Sequence, residues 1–109
     1  MTETLEKLEE LFPEKFEYIS LPESFYIMQP SVQRVDFDSQ DGIDSILAEI
    51  GWEYEVTKPD VSGWQFVAWG THEKGYFEHP VEQKLHKTKL LAAQAALKAV
   101  VEELKKGEG

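Results

Sequence analysis

The chain has 109 residues, with 21 acids against 11 bases, no cysteine and a formal net charge of −10. That length suits one domain, and a 41% hydrophobic share with 3 Trp, 4 Tyr and 6 Phe is richer than a disordered chain would carry. The missing cysteine excludes disulfides, a thiol nucleophile and Cys-ligated zinc or iron–sulfur sites, and the charge argues against general nucleic-acid binding, which rests on surplus Lys and Arg.

No apolar run approaches the roughly 20 residues of a membrane span. The acidic start, Met1-Thr2-Glu3-Thr4-Leu5-Glu6, is unlike a signal peptide. A cytoplasmic protein is the expectation. Asparagine is absent, so N-glycosylation is impossible. The charge is also unevenly divided. Residues 1–60 hold 15 acids and 4 bases, −11, while residues 61–109 hold 6 acids and 7 bases, +1. A field of one sign steers association with a surface of the other, so the first half reads as a face for a basic protein partner.

In chain order, Leu5, Leu8, Leu11 and Phe12 form one apolar stripe that Pro13 stops, which predicts an amphipathic helix over about 3–12 capped by Thr2 or Thr4. Residues 16–38 are rich in strand formers, with Pro22 and Pro30 suited to turns or edges. They predict a hairpin or extended arm. Alternation is clean around Val35-Asp36-Phe37-Asp38, which reads as a half-buried strand with both acids on one face.

Asp41 is a good N-cap for a helix over about 42–50, where Ile43, Ile46, Leu47 and Ile50 line one face and Gly51 ends it. Trp52–Val56, Trp64–Trp69 and Tyr76–His79 then read as three short strands of an antiparallel meander. Alternation puts Trp64 and Phe66 on one face and Val67 and Trp69 on the other, so that one tryptophan, Trp69 in particular, offers a contact surface. Finally Leu90, Ala93, Leu97, Val100, Val101 and Leu104 form the stripe of an Ala-rich helix ending at Gly107. The whole reads as an α+β fold of order α-(ββ)-α-βββ-α. The organisation is a single domain over 1–109, an acidic helix-and-arm segment 1–40 on an α-β-β-β-α core 41–109.

Catalytic patterns are missing. The three histidines, His72, His79 and His86, are spaced by seven and separated by a proline and a strand-to-helix break, which suits turn residues better than metal ligands. Glu78-His79 are neighbours on a strand and point to opposite faces. No Ser sits in a Gly-x-Ser-x-Gly elbow, and no Gly-rich phosphate loop is present. The expectation is a non-enzymatic binding protein without metal or cofactor. Its candidate partner-binding residues are Asp36, Asp38, Asp41, Asp44 and Trp69.

Two resemblances follow from residues 41–109. Ile46-Leu47-Ala48-Glu49-Ile50-Gly51-Trp52 leading into the sheet, and Lys89-Leu90-Leu91-Ala92-Ala93-Gln94-Ala95-Ala96-Leu97 leading out, resemble small α-β-α sandwich domains of phage and prophage proteins, which implies an accessory or inhibitor role. The same segment resembles a double-stranded-RNA-binding domain, with Lys84, His86, Lys87 and Lys89 before the Ala-rich run. That likeness implies contacts from Lys84, Lys87 and Lys89 to duplex phosphates, although the Gly-Ser-Lys-Lys motif is missing and Asp41 to Glu49 would face the RNA.

Overall fold

The computed structural model describes the backbone of residues 2–72, 75–79 and 85–108, with side chains for 2–70 and 85–106. It is an α+β fold. Helix α1 spans Thr2–Leu11, strands β1, β2 and β3 span Phe16–Ser20, Glu23–Ile27 and Gln33–Val35, and α2 spans Gln40–Glu49. Strands β4, β5 and β6 span Trp52–Asp60, Gly63–His72 and Gly75–His79, and α3 spans Lys89–Glu108.

The N-terminal arm is a complete meander. Its strands pair antiparallel in the order β1-β2-β3, with Phe16 opposite Ile27, Tyr18 opposite Phe25, and Phe25 opposite Val35. Those residues face the core and, apart from the half-buried Tyr18, are buried. Pro22 and Pro30 lie in the connections on either side of β2, the central strand, where a residue without an N–H breaks no ladder. The expected strand through Asp38 stops at Val35, because the Asp36 side chain turns the chain by accepting the Asp38 N–H at 2.9 Å.

The second meander, ordered β4-β5-β6, forms its own sheet and does not extend the first. Its strands outrun their apolar patterns, so that β4 continues through Lys58-Pro59-Asp60 and β5 through His72. A proline at 59 fits an edge strand, and the ladder is irregular between Thr57 and Asp60. In register, Trp52, Tyr54 and Val56 lie opposite Gly70, Ala68 and Phe66, and this inner face is the one covered by helices.

Helix α3 joins the parts. It touches β4, β5, α1 and α2. Ala92, Ala93 and Ala96 are fully buried, and their small side chains let its backbone approach the sheet, while Leu97, Val100 and Val101 fill the space between layers. One hydrophobic cluster draws on all three helices and on strands β1 to β5.

Candidate functional site

The acidic residues Asp36, Asp38, Asp41 and Asp44 come together in the chain around the start of α2, and all four are exposed. The corner is held from several sides. The helix N-cap is Ser39, not Asp41. The Ser39 hydroxyl accepts the Gly42 N–H at 3.1 Å and itself donates to the Asp36 carbonyl at 3.2 Å. Ser39 has the extended backbone that a cap requires, whereas Asp41 already lies in the first turn, where its charge favours the helix dipole.

Across the layer, the Gln94 amide on α3 donates to the Phe37 carbonyl at 3.1 Å. Gly42 is buried against the same turn, and any side chain there would overlap the Asp36 carbonyl. The aspartates are therefore presented by a rigid turn and a capped helix. None of them makes an ion pair among the described residues.

On β4, burial raises the Tyr54 hydroxyl above the ordinary tyrosine value of 10.0, and the nearby Asp44 carboxylate on α2 raises it further. Tyr54 therefore stays protonated at neutral pH.

Trp69 lies elsewhere. It projects from the outer face of the second sheet, opposite Glu53, while α2 covers the inner face. It is half-buried, and its indole N–H donates to Glu53 Oε2 at 2.9 Å. On the same outer face Glu55 stands opposite Val67 and Thr57 opposite Gln65, with Glu53, Glu55 and Thr57 exposed. The expected grouping of Trp69 with the aspartates is thus divided by the thickness of the sheet, and the β4 strand runs between the two acidic regions. Alternation along β4 puts Glu53 and Glu55 on one face in the sequence, a carboxylate pair that reads there as hydrated surface acids, since such pairs arise by chance among 21 acids.

The other two tryptophans have different roles. Trp52 is buried, with Gly70 opposite it, where an added Cβ would meet the indole ring at 2.5 Å. Trp64 is half-buried and carries the Lys58 ammonium 5.6 Å from its ring centroid. Its backbone exchanges hydrogen bonds with His86 at 2.8 and 2.9 Å, which brings the start of α3 to the β4–β5 hairpin end. Lys87 and Lys89 are exposed there, and Thr88 caps α3 by accepting the Leu91 N–H at 3.1 Å. Lys84 lies outside the described residues.

A further acidic hollow opens between α1 and β1. It has a volume of about 620 Å³ and is walled by Glu6, Glu9, Glu10 and Glu17 over Phe16 and Met28. Glu9 accepts the Tyr18 N–H at 3.0 Å, occupying one main-chain donor of β1, and Glu10 pairs with Lys105 on α3 at 2.9 Å.

No group of three or more His, Asp or Glu side chains that could hold a metal ion occurs among the described residues. His72 and His79 belong to strands β5 and β6 instead of turns; their side chains, like that of Glu78, lie outside the described set. Among the described residues, no helix is long and apolar enough to cross a membrane. Comparisons with protein families, with curated proteins and with solved structures find no match to this chain.

Proposed function

We propose that this chain is a non-enzymatic binding protein that engages a protein partner with a basic surface through its acidic half. The observation that carries this reading is the α2 corner, where Asp36, Asp38, Asp41 and Asp44 are exposed, make no ion pair among the described residues, and are fixed by Ser39, Gly42 and Gln94. A fixed array of like charges loses little on docking, because the geometry is set before the partner arrives. The phage- or prophage-type accessory role, in the cytoplasm, belongs to the same proposal and rests on the residues that suggested it. The test is retention of basic proteins by the immobilised chain and by a variant with all four aspartates changed to lysine. Loss of retention in the variant supports the reading; unchanged retention overturns it.

One observation favours a second reading, duplex-RNA binding. The segment α2-β4-β5-β6-α3 has both helices packed on its sheet, and the bridge from Trp64 to His86 brings exposed Lys87 and Lys89 to the hairpin end that carries Lys58 over Trp64. Such binding would weaken steeply with salt. A gel shift of duplex RNA at low salt, lost in a Lys87→Glu/Lys89→Glu variant, would favour it over the acidic-face reading; no shift at low salt disposes of it.

A further inference from the structure

The four strand edges of the two sheets are unequal. At the β1 edge Glu9 accepts the Tyr18 N–H, β3 is only three residues long, and β6 only five. Strand β4 has nine residues, and among the described residues β5 is its one strand partner. From Trp52 to Thr57 its ladder with β5 is regular, and from Glu53 to Thr57 its outward N–H and C=O groups alternate as an ordinary template for another strand.

The side chains beside this edge select what can use it. On the outer side stand Glu53, whose carboxylate also accepts the Trp69 indole N–H, and Glu55, both exposed and two residues apart. On the inner side stands α2, which touches β4 and carries the exposed Asp44, with Asp41 one turn before it. A strand laid along β4 sends successive side chains alternately to the two sides, and on both it meets carboxylates. A second copy of this chain pairing edge to edge would set carboxylate against carboxylate, which disfavours self-association. A strand with lysine or arginine would have its charges matched.

We infer that the β4 edge takes up an extended basic segment of the partner protein as an added strand, with Glu53 and Glu55 on one side of it and Asp44 and Asp41 on the other. This rests on the acidic-face reading and deepens it, from a charged surface to a backbone-reading mode. Main-chain bonds along β4 would supply affinity, and the carboxylates would supply selection.

The experiment uses the full chain and a synthetic peptide of about eight residues alternating lysine and threonine, the length of an ordinary strand. Two companions are the same peptide N-methylated at every second amide, which keeps its charge but removes ladder donors, and a glutamate–threonine counterpart. Calorimetry should show binding of the first peptide, weakened at least about tenfold by N-methylation and by Glu53→Lys/Glu55→Lys, with none for the acidic peptide. Hydrogen exchange should slow at β4 between residues 53 and 57. Equal binding of the N-methylated peptide, or protection confined to other elements, overturns strand addition while leaving the acidic-face reading in place. No binding of the basic peptide also overturns it, whereas the acidic-face reading falls only when the four-aspartate variant retains basic proteins unchanged. Peptide-independent dimerisation through β4 would assign the edge to a second copy and overturn the inference as well.

Discussion

The indole N–H of Trp69 reaches across the β4–β5 ladder to the carboxylate of Glu53 at 2.9 Å, on the sheet face opposite the one that α2 and α3 pack against. Trp52, on the opposite face of the same sheet, is buried. These two tryptophans should respond very differently to truncation. Trp52→Ala is expected to cost about 3–5 kcal/mol in denaturant unfolding, whereas Trp69→Ala should cost about 1 kcal/mol or less, as half-exposed positions do. Comparable losses at the two sites would place Trp69 in the core.

Gly42 reverses an ordinary expectation. Alanine is favoured over glycine within a helix by about 1 kcal/mol. Here the added Cβ would overlap the Asp36 carbonyl, which belongs to backbone and cannot move aside cheaply. Gly42→Ala should therefore destabilise the chain by about 1–3 kcal/mol, the range of overpacked sites. Its thermal unfolding midpoint should fall, and a rise would show that the turn over residues 36–38 is loosely seated.

Ser39 and Asp41 provide a paired test of which residue caps α2. Ser39→Ala removes the acceptor for the Gly42 N–H and should cost about 1 kcal/mol. Asp41→Ala loses only a first-turn charge and should cost about 0.5 kcal/mol at low salt, fading as salt is added. The reverse order of losses, read by denaturant unfolding, would return the cap to Asp41.

Tyr54 gives the fold an alkaline limit. Its hydroxyl titrates above the ordinary value of 10.0, so above that pH the unfolded chain releases a proton that the folded chain still holds. The contribution of Tyr54 is present in full below pH 10.0 and is lost as pH rises towards the folded-state value. Wild-type stability should fall through this range. Tyr54→Phe should show a shallower alkaline decline, so identical slopes for the two proteins would refute this role.

Much of the fold was legible in the sequence because its periodicities are local. The stripe from Leu90 to Leu104 and the Ile43–Leu47 face predict helices that form where expected, and Gly51, at φ 79°, ends α2 as a left-handed C′ residue should. The arm was harder to read. Asp36 imitates strand alternation beside Val35 and Phe37, yet its side chain bonds locally to Asp38 and makes a turn, a competition that hydropathy does not register. The candidate site was legible in parts. The aspartates could be named from their density, but their fixation depends on Gln94, distant in sequence, and the separation of Trp69 from them depends on which sheet face the helices cover.

Helix α3 follows all six strands in the chain yet is the element that both halves lean on. During synthesis, the second α-βββ stretch leaves the ribosome with Trp52 and Phe66 on an uncovered apolar side. That side cannot be sealed until Ala92 to Val101 of α3, which packs on β4 and β5, emerge. The nascent chain therefore passes through a window in which its acidic exterior is its main protection against self-association, a service to solubility distinct from any partner the finished surface receives.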